Sequence, residues 1–182
     1  MPGGKTMALT LTPSGDPEIY TIDPATGKEV ARLTNNRGID TSPSWSPDGN
    51  RIAFVSDRSG GAQVYVMNKD GSGVRRVTFQ GGHNTDPSWS PDGKSLTFVG
   101  RDSVFDIFTV GVDGGGITRI TQHAGDNEDP SFSPDGNYIG FSSTRAGGAH
   151  IWMSTVDGAH QVQLTQGKGG YTNPSWSPFL EW

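Results

Sequence analysis

The sequence predicts an all-β protein made of repeated four-stranded antiparallel sheets, because one short segment recurs at an almost constant spacing. Residues 43–49 read Pro-Ser-Trp-Ser-Pro-Asp-Gly, and the segment returns at 87–93, at 130–136 with Phe for Trp, and in shortened form at 174–178. Periods of this length are typical of supersecondary units that stack into an array or a ring. The aromatic residues of the segment lie 44, 43 and 44 residues apart, at Trp45, Trp89, Phe132 and Trp176.

Each repeat contains four short strands separated by turns. In the second repeat, residues 51–56 and 63–67 are β-branched and aromatic runs, and a further run follows at 74–78. Asp-Gly turns and a glycine-containing loop separate these runs, so the repeat is an antiparallel meander. The equivalent second strands are predicted at 6–11, 95–100 and 138–143, the third strands at 18–22, 106–110 and 150–154, and the fourth strands are predicted to end at Thr34, Thr78, Thr121 and Thr165.

Four strands in about 44 residues predict the blade of a β-propeller. Because such a sheet is apolar on both faces, its aromatic residues are expected to pack between neighbouring blades and not to form a ligand cage. These aromatic residues are Trp45, Trp89 and Phe132 on the first strands and Phe54, Phe98 and Phe141 on the second. The predicted blades span 1–38, 39–82, 83–125 and 126–170, followed by a closing segment at 171–182.

The two ends of the chain predict how the ring closes. Residues 1–5 align with 46–50, so the first blade is expected to lack its innermost strand, whereas 172–178 is an innermost strand with no blade after it. The missing and surplus strands match. Pairing within one chain would give a four-bladed ring, and pairing between two chains would give an eight-bladed homodimer by strand exchange.

Composition excludes several classes of function. A formal net charge of −5 without a Lys/Arg cluster argues against nucleic acid as a partner. No apolar run approaches the roughly 20 residues that span a bilayer, and the start of the chain has no signal-peptide pattern, so we expect no membrane insertion. The chain has no cysteine, which excludes disulfides and thiol chemistry.

Enzyme motifs are also absent from the sequence. There is no nucleophile elbow, no zinc-binding His-Glu-x-x-His, no phosphate-binding loop and no EF-hand loop, so we expect no catalytic activity, no cofactor and no dedicated metal site. Asp48, Asp92 and Asp135 each follow Ser-Pro in a tight turn, where an aspartate side chain is expected to cap backbone amides.

The repeats resemble those of TolB-like propellers over essentially the whole chain. The resemblance rests on the Trp-Ser-Pro-Asp-Gly segment, the third strand at 63–67, the Arg-x-Thr sequence at 76–78 and 119–121, and the terminal segment 174–180. It implies a propeller of the periplasmic Tol-Pal system, non-enzymatic, that binds the lipoprotein Pal through loops at one mouth. The family implies six blades behind an amino-terminal α/β domain. This chain has four repeats and no such domain, so we expect a fragment or an engineered form.

The resemblance also implies where a partner would bind. In the family the partner-contacting loops precede the innermost strands, and ring geometry would gather the matching residues into an acidic mouth. This mouth would recognise a basic or hydrogen-bonding peptide, or hold a hydrated cation through oxygen ligands. Alternatively, these are ordinary solvated turn residues. The predicted site residues are Asp40, Thr41, Ser42, His83, Asn84, Thr85, Asp86, Asn127, Glu128, Asp129, Thr172 and Asn173.

Three functions stay open at this point. The first is a scaffold that binds a protein or peptide, such as Pal. The second is the gating propeller of a serine peptidase of the prolyl oligopeptidase or tricorn kind, separated from its catalytic domain. The third is an assembly module with no ligand, whose role lies in how the blades close.

Overall fold

The computed structural model describes residues 4–13, 15–122 and 124–177, and these contain fifteen β-strands and no helix. No helix within those ranges could therefore cross a membrane. The strands are β1 (Met7–Leu11), β2 (Glu18–Ile22), β3 (Glu29–Arg32), β4 (Asp40–Trp45), β5 (Arg51–Ser56), β6 (Gln63–Asn68), β7 (Arg75–Arg76), β8 (Asn84–Trp89), β9 (Ser95–Arg101), β10 (Phe105–Gly111), β11 (Thr118–Arg119), β12 (Asn127–Phe132), β13 (Tyr138–Ser143), β14 (His150–Thr155) and β15 (Gln161–Gln163).

The strands form four antiparallel meanders, which confirms the predicted all-β propeller fold. The first sheet has three described strands, in the order β1-β2-β3. The other three sheets have four strands each, and consecutive strands are hydrogen-bonded neighbours: β4 to β7, β8 to β11, and β12 to β15. We call these sheets blades 1 to 4.

The hydrophobic core lies between the blades. Each of three clusters takes residues from one face of a blade and from the facing surface of the next. Between blades 2 and 3, for example, Val64 and Val77 pack with Trp89 and Phe98. The aromatic residues of the second strands are buried in these clusters, as predicted: Phe54, Phe98 and Phe141.

A threonine at the end of each blade, buried in blades 1 to 3 and half-buried in blade 4, ties the fourth strand to the third. Its hydroxyl oxygen accepts a hydrogen bond of 2.9 Å from a backbone amide near the start of the third strand. In blade 3, the Thr121 hydroxyl also donates to Asp106 Oδ1 at 2.6 Å, and Arg119 Nε donates to the Thr121 carbonyl at 3.1 Å. This explains the Arg-x-Thr sequence. The threonine and amide pairs are Thr34 with Ile19, Thr78 with Val64, Thr121 with Ile107, and Thr165 with Ile151.

The predicted ends of the fourth strands are wrong by two residues, because the strands stop before these threonines. In blade 2 the amides of Val77 and Thr78 both lie near the Val64 carbonyl, at 2.8 and 3.4 Å, so the regular ladder has ended there. The threonine side chain then continues the connection to the third strand. The observed last residues are Arg32, Arg76, Arg119 and Gln163.

The tight-turn aspartates have the predicted structural role. Asp48 Oδ1 accepts hydrogen bonds from Ser46 Oγ at 2.5 Å and from the Asn50 amide at 3.1 Å. These bonds favour the carboxylate and lower the pKa of Asp48 to about 2. The turns of Asp92 and Asp135 repeat the arrangement, which confirms that these aspartates cap backbone amides.

The closing segment does not complete the first blade within the single chain. Residues 171–177 contain no strand and lie against blade 4, where Trp176 Nε1 donates to the Ser131 carbonyl at 3.1 Å. The Ser131 hydroxyl in turn donates to the Pro174 carbonyl at 3.1 Å. Pro178, predicted as the end of this strand, lies outside the described residues. Among the described strands, those of blade 1 pack against blade 2 and make no comparable contact with blade 4, so the four blades form an open arc.

Replacing Thr121 by valine should destabilise the fold while keeping the side-chain volume. The buried hydroxyl would be lost, which leaves the Ile107 amide and the Asp106 carboxylate each short of a hydrogen bond. We expect the free energy of unfolding in urea to fall by about 2 kcal/mol. Thr118→Val, at an exposed position on β11 just before Thr121, is the matched control and should change it by less than about 0.5 kcal/mol. Equal effects of the two variants would contradict the role assigned to Thr121.

Candidate functional site

Nine of the twelve predicted site residues lie inside the innermost strands and not in loops that precede them; His83, Thr172 and Asn173 lie outside the strands. Asp40 pairs with Ser56, and the following residues continue along β4. Asn84 occupies the same position in β8, opposite Gly100. The prediction of loops is therefore wrong, because the antiparallel ladder of each blade extends to these residues. The same holds for Asn127, Glu128 and Asp129 in β12.

A β-bulge interrupts each innermost strand two residues after its start. The register shifts between Thr41 and Ser44, and again at the equivalent places in β8 and β12. In every repeat the residue before the proline has a positive φ, which is uncommon for residues other than glycine. Bulges re-aim side chains, so equivalent positions of successive blades point to the same end of the arc. The φ values are 51° for Ser42, 52° for Asp86, 54° for Asp129 and 55° for Asn173.

These four residues line one depression, which we call the mouth. It has a volume of about 440 Å³, and the prolines and serines that follow them complete its wall. Hydrogen bonds across the depression link neighbouring blades. Ser42 Oγ lies 3.4 Å from Asp86 Oδ1, and the backbone N–H of Asn173 donates to Asp129 Oδ2 at 3.2 Å. The mouth therefore holds two carboxylates, a hydroxyl and an amide side chain.

Asp40 is a framework residue, not part of the accessible mouth. Its side chain is fully buried, and its Oδ2 accepts hydrogen bonds from Arg58 Nη2 at 2.8 Å and from Asn36 Nδ2 at 2.7 Å. Arg58 neutralises the carboxylate and also stacks over the rings of Phe54 and Tyr65. The predicted contribution of Asp40 to an acidic collar is therefore wrong, because its charge is compensated inside the blade.

Asn84 and Asn127 are likewise buried in hydrogen-bond networks. Asn84 Nδ2 donates to Gln63 Oε1 at 2.9 Å, which ties the innermost strand of blade 3 to blade 2. Asn127 Nδ2 donates to Asp106 Oδ1 at 3.1 Å, and Asn127 Oδ1 accepts from Arg145 Nη2 at 2.8 Å. Their side chains are committed to joining successive blades. A partner at the mouth would not reach them.

The remaining predicted residues are accessible to different extents. His83, Asp86, Glu128, Thr172 and Asn173 are exposed. Thr41, Ser42, Thr85 and Asp129 are half-buried. Of these nine, only Ser42, Asp86, Asp129 and Asn173 line the depression.

Sequence reasoning missed the contribution of the prolines and serines that follow the bulge. Pro43, Pro87, Pro130 and Pro174 form the apolar part of the wall, between Ser44, Ser88 and Ser131. Their recurrence in every repeat was the available signal. This recurrence predicted the innermost strand. It did not predict that the bulge turns the proline and serine toward the mouth.

The mouth is a region of like charge. Burial raises the pKa of Glu128, and the nearby carboxylates of Asp129, Asp126 and Asp86 raise it further. Asp126 was not among the predicted site residues. Within the described ranges, no group of three or more His, Asp or Glu side chains is arranged to hold a metal ion.

Comparison with known proteins identifies the family. Residues 1–180 match the TolB beta propeller domain. The chain belongs to the TolB β-propeller family. It is 49% identical over 174 residues to a TolB homologue of Chlorobium luteolum, covering 94% of this chain and 39% of that protein. It is 46% identical over 54 residues to the Tol-Pal system protein TolB of Bordetella pertussis, covering 30% of this chain and 12% of that protein.

The fold comparison gives the same result. The crystal structure of TolB from Acinetobacter baumannii superimposes with a TM-score of 0.86 at 33% identity, covering 97% of this chain and 44% of that one. The chain thus spans less than half the length of these relatives. What it shares with the TolB family is the propeller repeat over its whole length.

Replacing Glu128 by glutamine should stabilise the protein at neutral pH. A raised pKa means that folding favours the protonated carboxyl, so ionisation of Glu128 costs stability above its folded pKa, and this cost disappears as the pH falls below its unfolded pKa. We expect the variant to unfold at a higher temperature at pH 7. The gain in the free energy of unfolding should be less than about 1 kcal/mol, because solvent screens the site. The advantage should vanish near pH 4 in thermal unfolding followed by circular dichroism.

The control for this experiment is Glu29→Gln, an exposed glutamate on the outermost strand of blade 1. This variant should show no comparable pH-dependent gain. If Glu128→Gln had a lower unfolding temperature than the parent at pH 7, the assigned electrostatic repulsion would be contradicted.

Proposed function

We propose that the mouth of this propeller binds a protein or peptide, and that in the parent protein this partner is a Pal-like lipoprotein of the bacterial periplasm. Membership of the TolB family supports the class of partner, since one relative is a Tol-Pal system protein. The observation that carries the proposal is the row of equivalent bulge residues that line one depression at one end of the arc.

The chemistry of the mouth suits a partner that donates hydrogen bonds or carries positive charge. Among the ion pairs of the described residues, none involves Asp86, Glu128 or Asp129, so these carboxylates are not neutralised by the fold. Lysine, arginine or backbone amides of a partner would relieve their mutual repulsion. Charge complementarity of this kind also speeds association and is weakened by salt.

Most of the mouth is built on paired strands, which favours binding. Each bulge residue precedes a proline, and the innermost strands that carry the bulges are held by ladders on one side and by neighbouring blades on the other. A site that is already ordered loses less conformational entropy when a partner binds. The side chains that line the mouth act as hydrogen-bond acceptors around an open depression, so we propose binding without a catalytic step.

The test is binding of the purified periplasmic domain of Pal to the 182-residue chain, measured by isothermal titration calorimetry at two salt concentrations. We expect saturable binding that weakens with salt, and an increase in Kd of about tenfold or more for Asp86→Ala, because a charged hydrogen-bond acceptor is lost. Thr85→Ala should weaken binding less, since its side chain is half-buried and does not line the depression.

The matched control is Asp113→Asn, which removes one negative charge from an exposed turn at the opposite end of blade 3. It should leave the Kd unchanged within about twofold. Absence of binding by the parent chain at high concentration would contradict the proposal for this chain, and equal effects of Asp86→Ala and Asp113→Asn would contradict the location of the site.

A further inference from the structure

The last blade leaves an apolar face uncovered. Leu164 is 53% exposed, whereas Val77 and Ile120, at the same position of blades 2 and 3, are 0% and 2% exposed. The difference arises because each earlier blade is covered by the next one. The third strand shows the same change, since Ile151 and Met153 of β14 are half-buried and Val64 and Val66 of β6 are fully buried.

The first blade leaves the opposite face uncovered. Met7 on β1 is 51% exposed, and the residues at its position in the later blades are fully buried. In those blades the face is covered by the preceding blade, and the innermost strand adds its aromatic residue. Blade 1 has neither among the described residues. The buried equivalents of Met7 are Ile52, Leu96 and Ile139.

A buried hydrogen-bond donor marks the same gap. Trp89 Nε1 donates to the Ser44 carbonyl of the preceding innermost strand at 2.9 Å, and Trp176 Nε1 donates to that of Ser131 at 3.1 Å. Trp45 is their equivalent, and its Nε1 is buried without a hydrogen-bond partner among the described residues. The acceptor it lacks would be a carbonyl on an innermost strand of blade 1. A buried unsatisfied donor costs free energy, so a native partner is expected.

The chain carries one segment with the required acceptor. Ser175 precedes Trp176 as Ser44 precedes Trp45, so its carbonyl is the one that the indole of Trp45 would need. By the register of the complete blades, in which Ser44 pairs with Ala53 and Trp45 with Ile52, Ser175 would lie opposite Ala8 and Trp176 opposite Met7.

We propose that the 182-residue chain binds a second copy of itself end to end, and that residues 172–177 of each copy form the innermost strand of blade 1 of the other. The Ser175 carbonyl of one copy accepts the hydrogen bond from Trp45 of the second copy. Met7 of the second copy covers Leu164 of the first. Trp176 keeps its own contact with Ser131. Binding of the second copy therefore pairs the free edge of β1, gives the Trp45 indole an acceptor and covers the apolar faces of blades 1 and 4.

A second copy fits these observations better than closure of the chain on itself. A ring of four blades turns by about 90° per blade and a ring of eight by about 45°. In the single chain the strands of blade 1 pack against blade 2, whereas residues 171–177 lie against blade 4, so the two ends do not pair with each other. Two arcs related by a two-fold axis form two identical junctions and close without leaving a free end.

The first test is the mass in solution, by size-exclusion chromatography with light scattering over a range of concentrations. We expect about twice the chain mass of 19.3 kDa. A mass of one chain at high concentration would overturn the proposal, and so would a series of growing masses, which would indicate an open-ended array.

The second test changes the apolar face of blade 4. Leu164→Asp should convert the dimer to a monomer with an unchanged circular dichroism spectrum, because the side chain is already exposed in the single chain. Val162→Asp is the control, since Val162 is 47% exposed and its equivalents Arg75 and Thr118 are exposed in complete blades. The control should remain dimeric. A dimeric Leu164→Asp variant would contradict the proposal.

The third test isolates the indole hydrogen bond. Trp45→Phe should raise the dissociation constant of the dimer by about tenfold, the effect of one hydrogen bond. Trp89→Phe loses the same bond inside one chain, so it should lower stability and leave the dimer constant unchanged. Phe132 shows that phenylalanine fits this position. Equal dimer constants for the two variants would contradict the role of Trp45.

A fourth test distinguishes exchange between chains from closure within one. The chain has no cysteine, so Ala8→Cys combined with Ser175→Cys introduces one possible disulfide at the predicted register in each of the two junctions. Oxidation should yield covalent dimers on a non-reducing denaturing gel. A covalent product of one-chain mass would overturn exchange, and absence of any cross-link would overturn the predicted strand pairing.

Discussion

The constraint on which the rest of this structure depends is that every blade is apolar on both faces. A four-stranded sheet of this kind cannot bury both faces within its own repeat, so each blade needs a neighbour on either side. The three clusters of buried residues accordingly lie between blades and take residues from both. The consequence is a molecule whose interior blades are well covered and whose terminal faces are not.

The polar framework that joins the blades is separate from the residues that line the mouth. Asp40, Asn84 and Asn127 begin the innermost strands and are buried in hydrogen bonds to arginine, glutamine or aspartate of the same or the preceding blade. Two residues further on, the bulge turns a position toward the mouth, and this position and the equivalent Asn173 have nearly the same φ while the side chain varies between serine, aspartate and asparagine. A constant backbone with a variable side chain allows the mouth to change its chemistry without changing the packing of the blades.

The repeat period and the turn residues were sufficient to predict the fold, because each blade is encoded locally by β-branched runs separated by Asp-Gly turns. The mouth could be predicted only in part. Asp40 looked like a candidate ligand in the sequence, and its burial follows from its pairing with Arg58, a contact between residues 18 apart. The bulge was not predicted, since Ser-Pro, Asp-Pro and Asn-Pro are compatible with either a turn or a strand. The exposure of Leu164 was also invisible, because its sequence context matches that of the buried Val77.

The closing segment links the two proposals. Asn173 contributes the fourth positive-φ residue of the mouth, and three residues later Trp176 packs over blade 4. In a ring of two copies, each blade 1 receives its bulge position from Asn173 of the other copy, so all eight blades present one residue at the mouth. A partner that contacts Asn173 together with residues of blade 1 or blade 2 of the other copy would bind only the assembled ring. By linkage, such a partner would stabilise the dimer by the same free energy that dimerisation adds to its binding.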